Sequence, residues 1–212
     1  MLTSVCEGQQ TFSFDYASKK YSIVILVDTC YNGTCEGKGV IKLTEKNSNQ
    51  LFQTITSDNL NFFLDSTRQP TSNIIQIYNE QSPLIFEDFN FDGQEDLAIR
   101  NGNNSGYGGP SYDVYVYNKT RRQFLLSKEL TKLASENLGM FQTDHDTKRL
   151  VTFGKSGCCW HITTEYSVIP KKGLVKVSEL IEDARDDNYL IVTTKKLVTG
   201  RWIKIVKKSK KD

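Results

Sequence analysis

What this chain lacks narrows its chemistry first. It holds only two histidines, two tryptophans and four prolines in 212 residues. No apolar run approaches the roughly 18 residues that a spanning helix needs. The longest, Tyr21-Ser22-Ile23-Val24-Ile25-Leu26-Val27, has the length and β-branched content of a strand. An excess of charge is also missing: 27 Lys and Arg against 25 Asp and Glu leave a net +2. That balance argues for neither a nucleic acid nor a membrane surface as partner. Five lysines do crowd residues 204–211, a run expected to be a solubilising tail. There is no apolar stretch after Met1-Leu2-Thr3-Ser4 to make a signal peptide. The expectation is a secreted chain whose signal has been removed, with Met1 in its place.

Signatures of catalysis are absent too. No Gly-x-Ser-x-Gly elbow, phosphate loop or dinucleotide fingerprint occurs. Acid–base or triad chemistry would have to call on His145 or His161. His145 sits in an acidic turn, where a solvated side chain is the simpler reading. His161 follows Trp160 on a strand and reads as packed and hydrogen-bonded. Glu179, Glu182, Asp183, Asp186 and Asp187 cluster, but as a solvated face or turn. No enzymatic activity is expected.

The five cysteines favour an oxidising compartment. Cys30 and Cys35 enclose Tyr-Asn-Gly-Thr, whose Asn-Gly pair can close a hairpin and bring the two thiols together as a disulfide. Cys158 and Cys159 are adjacent, at a Cα spacing of about 3.8 Å that is short for a bridge. The readings open for them are a vicinal disulfide, a bridge from one of them to Cys6, or two buried thiols. Cys6 is also a candidate lipid-anchor cysteine, although Val5 before it is a poor match for such a signal. Zinc is disfavoured, because Cys-Cys-Trp-His lacks the two-residue spacing that points both sulfurs at one ion.

What is present is period-two alternation. It runs through residues 11–16, 113–117 and 189–194, and Thr199-Gly200 turns the last of these into Trp202-Ile203-Lys204-Ile205-Val206. Only residues 127–138 and 177–185 have helical character. The fold class is all-β: an antiparallel sandwich or an incomplete propeller-like arrangement. The chain is long enough for one sizeable core or two small ones. It divides into an N-terminal β region over 1–80, with no function assigned, and a second region over 81–212, or runs as one continuous domain 1–212. A weak repeat suggests units of turn, strand, loop and strand, the size of a propeller-like blade: Ser105-Gly106 and Ser156-Gly157 lie 51 positions apart, as do Tyr115 and Tyr166. The competing reading is chance matching of strand–turn patterns.

The most informative run is Asp88-Phe89-Asn90-Phe91-Asp92-Gly93-Gln94-Glu95-Asp96. Side-chain oxygens at Asp88, Asn90, Asp92 and Asp96, with the carbonyl of Gln94, form the hard-oxygen donor set that calcium takes at about 2.3–2.6 Å. Gly93 supplies the sharp turn. Strands rather than helices flank the loop, and Ile99 stands where an EF-hand would carry its closing Glu. The competing reading is an acidic Asx-rich turn that binds nothing. Calcium is favoured, since a solvated turn has no need of three carboxylates, an Asn and a Gly in this order.

A second candidate is the loop over 101–111, Asn-Gly-Asn-Asn-Ser-Gly-Tyr-Gly-Gly-Pro-Ser. Small residues around Tyr107, with Tyr112 just beyond, suit a protein-binding tip. The plainer alternative is a flexible connection.

Asp-x-Asn-x-Asp-Gly-x-x-Asp, Ser-Gly-Tyr-Gly-Gly-x-Ser-Tyr-Asp-Val-Tyr and Ser-Gly-Cys-Cys-Trp-His, taken together, resemble bacterial periplasmic immunity proteins of the lysozyme-inhibitor-like group. The resemblance covers about half the chain, is densest over 86–117, and is absent from the first 80 residues. It implies a protein that guards the cell against peptidoglycan hydrolase toxins delivered by type IV or type VI secretion. It further implies that a Ser-Gly loop plugs the hydrolase cleft, a role falling on Ser105, Gly106 and Tyr107, with calcium beneath fixing where the loop emerges. The alternative from another class is a calcium-stabilised carbohydrate-binding or cell-surface adhesion module. A secreted hydrolase is a third and weaker reading.

Overall fold

Short turns with left-handed residues set the architecture. Asn32-Gly33 (φ 47° and 82°) and Thr199-Gly200 (φ 46° and 80°) are two-residue turns with both central residues at positive φ, the geometry that matches the twist of an antiparallel pair. The computed structural model describes residues 9–77, 80–170 and 172–211; Cys6, and with it the lipid-anchor reading, lies outside them. These residues form an all-β fold in three antiparallel sheets, arranged like a sandwich.

The first sheet is a meander of β1 (Gln10–Phe14), β2 (Tyr21–Tyr31), β3 (Thr34–Glu45) and β4 (Leu51–Phe63). The second is β5 (Leu84–Glu87), β6 (Asp96–Arg100), β7 (Tyr112–Asn118) and β8 (Gln123–Leu126). After one helix, α1 (Lys128–Ser135), come β9 (Gln142–Asp144), β10 (Arg149–Ser156), β11 (Trp160–Ile169), β12 (Gly173–Asp183), β13 (Tyr189–Val198) and β14 (Arg201–Lys210) in the third sheet, every strand beside its chain neighbour.

Alternation decides which face meets what. Ile23, Ile25 and Val27 of β2, with Ile41 and Leu43 of β3, pack on Leu84, Phe86, Leu97, Ile99 and Phe124 of the second sheet. Residues on both sides of position 80 thus share one cluster. Gln53 adds a polar clamp between the two sheets, its side chain accepting from the amide of Phe124 at 2.8 Å and donating to its carbonyl at 3.0 Å. The opposite face of the second sheet (Ile85, Ala98, Tyr112 and Val114) is covered by Leu130, Leu133 and Ala134 of α1 and by Met140, Phe141 and Leu150. With both faces covered, all five residues of β6 are buried and period two vanishes there.

Ser127 caps α1, its side chain accepting from the Leu130 amide, so the helix expected over 127–138 forms as its core eight residues. The helix expected over 177–185 does not form. That stretch is β12, paired with β11 on one side and β13 on the other, and Val177 is the extra residue of a bulge. Local helix propensity yields there to two ladders of main-chain hydrogen bonds. The lysine-rich end is likewise not a tail: it is β14, an edge strand exposed along its whole length.

Candidate functional site

The two candidate loops lie at opposite ends of β6, since Asp96 opens the strand and Arg100 closes it. The acidic loop is therefore not beneath the Ser-Gly loop, contrary to the expectation above. Four rises of a strand, about 13 Å, separate them.

At the first end the acidic loop folds onto its own backbone. Phe91 (φ 59°) and Gly93 (φ 82°) take left-handed conformations. Asp88 accepts from the amides of Asp92 (2.9 Å) and Gly93 (2.7 Å), Asn90 from Asp92 (2.9 Å), and Asp92 from Gln94 (2.9 Å). Asp96 is fully buried and accepts from the amides of Phe89 (3.1 Å) and Tyr117 (2.9 Å). Burial pushes its carboxyl up to about 7; those amides oppose the shift, and the nearby Asp92 and Asp88 carboxylates add to it.

Turns from all three sheets meet this loop. Ser18 and Lys19 donate to Glu95 at 2.8 and 3.1 Å, and Lys20 to the Gln94 side chain at 2.7 Å. Lys119 donates to the Asp92 carbonyl at 3.1 Å. His145 lies 2.9 Å from Glu87 and edge-on to Phe91. His145 thus works as a brace in the acidic turn. Among the described residues, no three His, Cys, Asp or Glu side chains converge on one point. The donor set nonetheless suits a hard cation. A buried carboxylate beside two others has its ionised form disfavoured, and a divalent charge is what would offset that.

At the far end, the 101–111 loop is cross-braced. Asn101 donates to the Ser111 carbonyl (2.7 Å), Ser111 to that of Gly102 (3.1 Å), and Ser105 to that of Gly109 (3.1 Å). The Arg100 side chain, buried and with its pKa lowered by that burial, reaches Asn103 at 2.6 Å from below. A turn of 3₁₀ helix, Gly106–Gly108, lifts Tyr107 outward with φ 59° and 65% exposure. Gly106 donates to the Asn137 carbonyl at 2.8 Å, and a Cβ there would stand 3.0 Å from that same oxygen. Gly106 is thus needed for close approach. Beside the tip, a hollow of about 290 Å³ is lined by Gln81, Gly106, Tyr107, Gly109, Pro110, Leu138 and Lys155.

Two residues expected at the partner surface stand elsewhere. Tyr112 is 1% exposed: it fills the core under α1 and donates to the Ser82 carbonyl at 2.8 Å. Ser105 is buried below the tip, its hydroxyl without a hydrogen-bond partner among the described residues. Of the set, Tyr107 reaches solvent and Gly106 is half-buried.

What holds Tyr107 is not visible in the sequence around it. Its hydroxyl accepts from the Gly157 amide at 2.7 Å, and the Lys155 ammonium lies 4.7 Å from its ring centroid. The repeat was the available signal, for Tyr107, beside one Ser-Gly pair, bonds to the glycine of the other.

Both cysteine pairs are bridged. Cys30 faces Cys35 across the β2–β3 hairpin, and Cys158 joins its neighbour Cys159 rather than remaining a pair of buried thiols. Disulfides belong to an oxidising, extracytoplasmic setting, and none of the described helices is long and apolar enough to cross a membrane.

No family model and no curated protein sequence matches the chain. Among solved structures, a Xanthomonas type IV secretion system related protein is similar over 92% of both chains, with a TM-score of 0.67 and 20% identity. At that identity the likeness establishes the fold.

Proposed function

We propose that this chain is a periplasmic immunity protein that binds a peptidoglycan hydrolase toxin and occludes its cleft, with no catalysis of its own. The observation that carries this reading is Tyr107, an aromatic side chain lifted clear of a braced loop on left-handed backbone. A rigid aromatic at a loop tip is the form an interface anchor takes, because little ordering cost remains on binding. The fold points the same way, since the similar Xanthomonas protein is described as related to type IV secretion, a route by which such toxins travel. Calcium belongs to the proposal: Asp88, Asn90, Asp92 and Asp96, with the Gln94 carbonyl, would hold it. When bound it supplies the positive charge those carboxylates lack, where turns of the three sheets meet.

The test is capture. The full chain is immobilised and offered c-type, g-type and i-type lysozymes, together with any peptidoglycan hydrolase encoded beside its gene. Binding, with loss of lysis of purified peptidoglycan, is the expected result. If no hydrolase binds, the inhibitor reading falls and a calcium-stabilised carbohydrate-binding or adhesion module replaces it.

A further inference from the structure

The β10–β11 hairpin turns through Gly157-Cys158-Cys159, with Ser156 paired to Trp160. This turn, on a different sheet, supplies the amide that holds the Tyr107 hydroxyl. Tyr107 needs holding. A non-glycine residue at φ 59° is disfavoured and persists where its surroundings fix it.

The turn is itself fixed twice. Gly157 takes φ 67°, and the Cys158–Cys159 bridge closes a ring through the peptide bond joining those residues, which restricts the backbone just after the donating amide. On the far side, the Cys159 carbonyl accepts from the Ala184 amide at 2.7 Å, tying the turn to the end of β12. Access separates the two disulfides. Cys158 is exposed and Cys159 half-buried, whereas Cys35 in the other bridge is wholly buried.

We propose that the Cys158–Cys159 bridge is a redox-dependent positioning element of the Tyr107 surface. Oxidised, it aims the Gly157 amide at the phenol and sets the ring for its partner; reduced, that aim is lost and binding weakens. This rests on the Tyr107 reading above. A dithiol reductant accomplishes the change. One of its thiolates attacks Sγ of Cys158, the S–S bond breaks, and Cys159 leaves as a thiolate that takes up a proton. The second thiolate then resolves the mixed disulfide and frees Cys158. The protein gains two electrons and two protons overall, and the dithiol becomes a disulfide.

The experiment compares the full oxidised chain, Cys158→Ser with Cys159→Ser, Tyr107→Phe, and all three together. Two readouts are taken: hydrogen exchange at the Gly157 amide, and affinity for whichever lysozyme or neighbouring hydrolase the wild type binds. Exchange at Gly157 should rise about tenfold in the serine pair and in Tyr107→Phe alike, as loss of one hydrogen bond predicts. Affinity should fall about tenfold in the serine pair, and the triple variant should lose no more, since both changes break the same contact. Unchanged protection of Gly157, or losses that add, overturns the proposal. Should the serine pair disturb folding, dithiol treatment of the wild type and of Tyr107→Phe makes the same comparison. Should no hydrolase bind, the inhibitor reading fails on its own, and exchange at Gly157 still decides whether the bridge positions the tyrosine.

Discussion

At the scale of single residues, Tyr107 and Asp92 separate surface from scaffold. Tyr107 is mostly exposed and buries no core, so Tyr107→Ala should leave the melting temperature within a degree or two while weakening hydrolase binding by about 2 kcal/mol, the range of an interface hot spot. Isothermal titration beside a thermal melt checks both; a variant binding at full strength moves the site to another loop. For the acidic loop, calcium should raise the melting temperature by mass action, by the equivalent of about 2.7 kcal/mol at a hundredfold excess over Kd. Asp92→Ala should abolish that rise, and a wild-type scan indifferent to calcium and chelator would remove calcium from the proposal. Sequence spacing pointed to Tyr107 and to the oxygen donors. It could not place Tyr112, because alternation reveals one buried face and α1 with its neighbours buries the other, nor Ser105, which lies in a loop where no alternation runs.

At the scale of elements, two hairpins make testable claims. The Cys30–Cys35 bridge closes a short loop, so Cys30→Ala with Cys35→Ala should cost about 2 kcal/mol on the chain-entropy estimate, read by denaturant unfolding. Oxidised digests should yield the pair as one linked peptide.

On β12, Glu179 accepts from Lys176 (2.8 Å) and Lys195 (2.7 Å), and these bonds hold its carboxyl below the ordinary 4.5. A depressed acid stabilises the folded state above its unfolded pKa, and that contribution is lost as pH falls through the folded value. Glu179→Gln should therefore be less stable than wild type at pH 7, with the gap closing below about pH 4.5. A gap that does not shrink at all as pH falls below 4.5 would show that the ion pairs are not its cause. The carboxylates that looked like an exposed face are thus partly engaged: Asp183 also pairs with Arg185, whose hydrogen bonds draw its pKa down to about 2. A lone sequence shows charges, and cross-strand register decides which of them meet.

At the scale of the whole molecule, burial is graded across the sheets. The five residues of β6 are enclosed on both faces, while β14, which among the described residues pairs with β13 alone, is exposed throughout. Amide exchange should follow that gradient, with β6 slowest and β14 fastest. Protection in β14 equal to that in β6 would mean that something covers the edge. The strand-rich class and several strands, among them β1, β7, β13 and β14, were legible from alternation, whereas the long β3 and β4 and the helical-looking β12 were not. The stacking order was not, for nothing local says that the middle sheet has two covers. Lys204, Lys207, Lys208 and Lys210 along the open edge are a known safeguard against strand-on-strand association.

The acidic loop and the tyrosine tip occupy opposite ends of one short, rigid strand. Ligands at the two ends can communicate only if that strand has a second arrangement available, and a fully enclosed strand has no room for one. If both ligands bind as proposed, the thermodynamic coupling between calcium and the hydrolase should therefore be close to zero. On the function proposed above, calcium would set the fraction of the chain that stays folded and leave its grip on a partner unaltered.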